Sequence, residues 1–185
     1  MKLVCRFAVT ALLTLGAVGV FVGCDDKKAQ TGSASSAGPA EPLPAGLLLG
    51  KAPEGAREVA DVRKSAGDGE EVVVRGRVGG SEKPFVEGRA AFQLVDSTLP
   101  TCDKTGEMHA CKTPWDYCCD DKADVFAKSV TVQVVGPNGQ PLRAALDGVG
   151  GLRPMSEVSV KGKVSKSADG KAVTVNATEM YVKQG

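Results

Sequence analysis

The chain has 185 residues, 23 basic and 22 acidic side chains, one histidine and 4% aromatic residues. That length suits one domain plus targeting and linker material. A nearly neutral, aromatic-poor chain lacks both the basic footprint and the stacking platforms on which nucleic-acid binding relies.

Met1 to Cys24 reads as an export signal. Lys2 and Arg6 make a basic start, and Phe7 to Val22 is an uncharged run of 16 residues, short of the roughly 20 a membrane-spanning helix needs. The run closes on Phe21-Val22-Gly23-Cys24 and is followed at once by Asp25-Asp26. These residues resemble a bacterial lipoprotein signal, in which a small residue precedes an obligatory cysteine. The resemblance implies cleavage after residue 23, acylation of Cys24 and attachment to the cell-envelope membrane through that residue. The competing reading is an uncleaved anchor. Two or more acyl chains would hold the protein stably where one would not. Asp25 resembles the signal that retains some lipoproteins at the outer face of the inner membrane, which makes that face of the periplasm the expected location. Cleavage would remove Lys2 and Arg6, leaving 21 basic against 22 acidic side chains, a formal net of −1.

From residue 24 to 55 the expectation is a flexible tether. Ala, Gly, Ser and Pro dominate Ala29 to Pro53, a stretch that cannot bury enough apolar surface to offset its ordering entropy. Its reach would be on the order of 25–30 Å. Leu47-Leu48-Leu49 is the exception, and its alternative is an extra strand packed on the domain.

The domain is expected over 56–185. Ala56 to Ala66 carries a rough helical stripe of Ala56, Val59, Ala60 and Ala66, with Gly67 as its stop. Glu71 to Val78 alternates as a strand: Val72, Val74, Gly76 and Val78 face one way, Val73, Arg75 and Arg77 the other. The same pattern returns as Val158, Val160, Gly162 and Val164 against Ser159, Lys161 and Lys163. A glycine in mid-strand permits the bulge or sharp coil that a small barrel needs at its corners. Ala90 to Asp96, Ser129 to Val135 and Ala172 to Val182 supply three more strands, with turns at Asn138-Gly139 and Asp169-Gly170. Leu142, Ala145, Leu146 and Val149 sit at helical spacing, but Gly148 and Gly150-Gly151 keep any helix there short.

Five strands with a short helix between the third and fourth resemble the OB-fold, the five-stranded Greek-key barrel, over about residues 70 to 183. The expected class is therefore all-β; a sandwich would need about seven strands. More narrowly, Val74-Arg75-Gly76-Arg77-Val78-Gly79-Gly80, Glu87-Gly88-Arg89-Ala90-Ala91-Phe92 and Thr113-Pro114-Trp115-Asp116-Tyr117-Cys118-Cys119 resemble a group of small bacterial lipoproteins with an OB-like domain and no assigned activity. That resemblance conveys fold and location and no substrate.

Thr98 to Lys128 interrupts the second and third strands, where a hairpin connection usually takes about 2–5 residues. This insert holds Cys102, Cys111, Cys118 and Cys119, the lone His109 and the lone Trp115. In an oxidising compartment the even count points to two disulfides. Joining the adjacent Cys118 and Cys119 would be strained, which leaves 102–118 with 111–119, or 102–119 with 111–118. The alternative is a metal site using Cys102, His109, Cys111 and Cys118 or Cys119, soft ligands suited to zinc or Cu(I), although no CxxC or HxxxH pair pre-forms half of it. Thiol exchange is a third reading, without the CxxC it usually uses. Thr113-Pro114 reads as a helix start with Asp116 in its first turn, placing Trp115 and Tyr117 on one short turn. Trp115 is expected to pack over the cysteines. With Asp116 and Tyr117 it is also the candidate contact surface, since Trp and Tyr are favoured at binding hot spots.

Arg75, Arg77, Lys161 and Lys163 form a weaker candidate, a basic stripe for an anionic ligand. The chain shows no GxSxG, HExxH, phosphate-binding glycine loop or CxxCH. The expectation is a non-enzymatic binding or scaffolding module that needs no cofactor, with an envelope protein or a small molecule as partner. The alternatives are a metal-binding or thiol-handling envelope protein and, third, an OB domain for nucleic acid or oligosaccharide.

Overall fold

The two strands that echo one another in sequence lie side by side in the structure, a computed structural model that describes residues 39–102 and 111–184. The export signal, Cys24, the start of the tether and His109 lie outside the described residues.

Among the described residues the elements are β1 (Arg57–Glu58), α1 (Val59–Ser65), β2 (Glu71–Val78), β3 (Ala91–Val95), α2 (Lys122–Ala127), β4 (Ser129–Gln133), β5 (Glu157–Lys166) and β6 (Val173–Val182). The sheet runs β1-β2-β3-β4-β6-β5, and β2 pairs again with β5 to close it. Five strands, β2 to β6, thus make a closed mixed barrel, antiparallel except where β4 runs beside β6. This is an OB-like all-β fold. Closure leaves little strand edge among the described residues, chiefly the two-residue β1 and the end of β6.

Val72, Val74 and Val78 from β2, Phe92 and Leu94 from β3, and Val158 and Val160 from β5 fill the interior, as their alternation requires. Gly76 pairs with Val158, and Gly162 pairs with Val72. A Cβ on Gly76 would stand 2.4 Å from the Val95 carbonyl oxygen, and one on Gly162 would stand 2.3 Å from that of Asn176. Only glycine lets the strands approach this closely. The ladder between β5 and β6 shifts register between Lys161, opposite Glu179, and Gly162, opposite Ala177. Thr178 is the extra residue of this bulge, and its hydroxyl donates to the Lys161 carbonyl at 3.2 Å. The mid-strand glycines are the barrel's corners.

Helix α1 closes one end with Val59 and Val62, both fully buried. Glu58 offers its N-terminus no side-chain cap. Instead Asp96, 1% exposed at the end of β3, accepts from the Ala60 amide at 2.7 Å. It also accepts from the Thr98 amide at 3.0 Å and the Thr98 hydroxyl at 2.5 Å. A carboxylate distant in sequence supplies the missing cap.

Three sequence expectations are revised. The helix over 142–152 is reduced to one 3-10 turn, Val149–Gly151. Gly148, Gly150 and Gly151 all take positive φ there, while Leu142, Leu146 and Leu152 are buried without a helix to carry them. Helix α2 was not anticipated: it turns one buried residue, Val125, inward, too short a stripe to register as periodicity. Its start is written in Asp121, whose carboxylate accepts from the amides of Ala123 and Asp124. Finally, the tether does not run free to residue 55. The Glu41 amide donates to Arg143, and Leu47 and Leu49 exchange backbone hydrogen bonds with Met180 beside β6. Leu47 is 2% exposed and belongs to the main core. The domain therefore begins ahead of residue 56, and the leucine run packs as its alternative reading had it.

Candidate functional site

The insert leaves the barrel after β3 and returns through α2 to β4. Its organising feature is a 3-10 turn, Pro114–Asp116, that ends on Tyr117 in the left-handed conformation (φ 55°, ψ 36°). Asp116 fixes that turn. One of its carboxylate oxygens accepts from the Thr113 hydroxyl at 2.7 Å and the other from the Cys118 amide at 2.8 Å. Thr113 thus acts through Asp116 and not as a direct helix cap.

Reversing the chain at Tyr117 sends its ring inward while Cys118 and Cys119 stay exposed. Tyr117 is 1% exposed and forms a second small core with Val95, Leu99 and Val125. Its hydroxyl accepts from an Arg77 guanidinium nitrogen at 3.2 Å, and burial pushes its pKa up. Tyr117 thus offers almost no exposed surface and anchors the insert to the barrel as a buried side chain. Trp115, half-buried, stitches the insert to the loop after β2. Its indole N–H donates to the Glu82 carbonyl at 3.1 Å, and its own carbonyl accepts from the Gly80 amide at 2.7 Å. A Cβ on Gly79 would sit 2.6 Å from that carbonyl oxygen, so the glycine pair is what admits the insert.

The same turn gathers the sulfurs. Cys118 Sγ lies 3.8 Å from that of Cys102, 3.6 Å from that of Cys111 and 3.9 Å from that of Cys119. A disulfide would bring a pair to about 2.05 Å. Neither expected pairing is formed: Cys118 stands beside three sulfurs at once and is bonded to none. A carboxylate oxygen of Asp116 joins the thiols of Cys102, Cys111 and Cys118 in a set whose donor atoms all lie within 4.8 Å of one another. Burial opposes ionisation of Cys102, but hydrogen bonds from the backbone and thiol of Cys119, and then from Cys118 and Cys111, outweigh it and lower its pKa. The Asp116 carboxylate, followed by Cys111 and Cys102, pushes the Cys118 thiol up. For Asp116 itself, burial is outweighed by the Thr113 hydroxyl and the Cys118 amide, and its carboxyl stays below the ordinary carboxylate value.

Three of the four residues of the basic stripe are engaged by neighbours, while Lys163 is exposed. Arg75 is paired with Glu58, Lys161 lies between Glu71 and Glu179, and Arg77 serves Tyr117.

Between the insert and the barrel lies a cleft of about 410 Å³. Gly80, Glu82 and Gln93 form its barrel wall; Asp116, Lys122 and Phe126 form its insert wall. Phe126 is 52% exposed, and the Arg63 guanidinium stands 5.0 Å from its ring centroid. Sequence reasoning missed Glu82, Gln93 and Phe126, because only the docking of the insert makes them neighbours. Fold and site together define an OB-like barrel with a thiol-rich insert folded over its β2–β3 face. No protein-family model matches the chain, and no curated protein matches it.

Proposed function

We propose that the protein is an exported, lipid-anchored binding module that performs no chemistry of its own and holds a small ligand between its barrel and its insert. The carrying observation is the cleft, whose volume of about 410 Å³ falls within the 300–1,000 Å³ usual for ligand sites. It lies over the β2–β3 loop and β3, the region where OB-folds take their ligands. Phe126 offers a flat apolar surface, already attractive to a guanidinium. Glu82 and Asp116 against Lys122 leave the walls net acidic. The ligand that fits is a planar or aromatic group bearing hydrogen-bond donors or a positive charge. The Phe21-Val22-Gly23-Cys24 pattern supports anchoring through Cys24, with the barrel held outside the cytoplasmic membrane.

Two measurements test this. A fatty-acid analogue fed to cells should label the protein and fail to label Cys24→Ser; unchanged labelling would remove the anchor. Full-length protein in detergent, titrated with aromatic amidines, should show resonance changes at Gln93, Lys122 and Phe126 that vanish in Phe126→Ala. Responses confined to other surfaces would dispose of the cleft.

A further inference from the structure

We propose that Cys102, Cys111 and Cys118, with Asp116 as the fourth donor, form a tetrahedral zinc site that locks the insert onto the barrel. This goes beyond the ligand cleft and stands without it. Four donors held about 2.3 Å from a zinc ion at tetrahedral angles stand about 3.8 Å apart when all are sulfur. The contacts of Cys118 with Cys102 and Cys111, at 3.8 and 3.6 Å, match that edge. Two disulfides would demand something different: each sulfur would close on one partner and withdraw from the others. The carboxylate is the second observation. Besides fixing the turn, an Asp116 oxygen lies within 4.8 Å of all three sulfurs. Its two oxygens are already oriented by the Thr113 hydroxyl and the Cys118 amide, the kind of outer hydrogen bonding that fixes ligating carboxylates.

Mixed sulfur and oxygen donors suit zinc better than Cu(I), which prefers thiolates and thioethers alone. Loading releases three protons, one from each thiol, while Asp116 binds as the carboxylate it already is. A site with four protein donors is closed, and its role is structural. It ties Cys102, on the segment that follows β3, to the turn that positions Tyr117 and one wall of the cleft. Cys119, 3.9 Å from Cys118, is its neighbour and is left outside the donor set.

The test uses the full-length chain, extracted in detergent and kept reduced without air. It should bind one zinc ion, and cobalt in its place should give thiolate-to-cobalt charge-transfer bands with the visible bands of a tetrahedral ion. Asp116→Asn and Cys118→Ser should each weaken zinc by more than about 100-fold, beyond the roughly 10–100-fold that losing an outer hydrogen bond costs. Cys119→Ser should leave the affinity within about threefold of wild type. The wild-type cobalt spectrum needs no variant to fold, so a misfolded Cys118→Ser leaves the test intact. Absence of tetrahedral cobalt bands in the reduced wild type would overturn the site. Zinc lost in Cys119→Ser but kept in Asp116→Asn would overturn the assignment of the fourth donor.

Discussion

Truncating Tyr117 should cost this protein more than truncating its tryptophan, although Trp115 is the larger side chain. Tyr117 is 1% exposed and is the largest member of the small core it forms with Val95, Leu99 and Val125. Removing a buried aromatic ring typically costs about 3–5 kcal/mol, part of it for the cavity left behind. The Arg77 hydrogen bond adds about 1 kcal/mol, which Tyr117→Phe isolates. Alanine keeps the left-handed backbone at position 117, so no strain is relieved to offset the loss. Tyr117→Ala should therefore destabilise by about 4–6 kcal/mol. Trp115 is half-buried and gives up one hydrogen bond with partial packing, so Trp115→Ala should cost about 1–2 kcal/mol. Urea unfolding of the full-length protein measures both, and hydrogen exchange locates the effect. Amides of 113–128 should lose protection before those of β2 and β5, whose core is separate. Equal costs for the two variants, or a Tyr117→Ala within about 1 kcal/mol of wild type, would refute the assignment of Tyr117 as the clamp of the insert.

Gly162→Ala should cost about 3 kcal/mol in urea unfolding, because its Cβ would meet backbone at 2.3 Å and backbone cannot rotate away; Gly170→Ala, at φ 69° with open space around it, should cost about 1 kcal/mol. Leu47→Ala should cost about 2–3 kcal/mol, whereas a free tether would make it silent. In Asp96, burial alone would raise the pKa, but the Thr98 hydroxyl, the Ala60 and Thr98 amides and the charge of Lys128 together bring it below its ordinary 3.8. The stabilisation is thus complete above that value and is lost as pH falls through the lower folded-state pKa. Asp96→Asn should cost about 2–3 kcal/mol at pH 6, and the gap to wild type should narrow on acidification below the ordinary value; a gap that widens would reverse the sign and sink the reading.

The barrel was legible because its information is local and repeated. Alternation places Val72, Val74 and Val78 inside without knowledge of any partner strand. Gly76 and Gly162, sitting where a side chain ought to be, announce the corners. The strand ends found in the structure differ from those read in the sequence by no more than two residues. What escaped were features settled by contacts far apart in the chain. Asp96 caps a helix 36 residues upstream, so nothing beside α1 declares the cap. The run Leu47-Leu48-Leu49 leaves two readings open, free tether or packed strand, and only the pairing of Leu48 with Met180 decides between them.

The insert was harder for a related reason. Its composition pointed to cross-linking, and the sulfurs do converge, but which of them converge depends on the left-handed turn at Tyr117. That conformation belongs mostly to glycine, asparagine and aspartate, so a tyrosine gives no warning of it. Here it persists because both sides of the turn are held: Asp116 binds its own flanks, and the ring is buried against Val95 and tied to Arg77. Had residue 117 continued the helical turn, the side chains at 115 and 118 would have shared a face, and Trp115 would have covered the thiols. The reversal separates them, giving Trp115 to the glycine pair of the β2 loop and Cys118 to Cys102 and Cys111. One backbone inversion thus decides the cleft wall and the thiol cluster together, and a variant that frees residue 117 to take ordinary helical angles should disturb both at once.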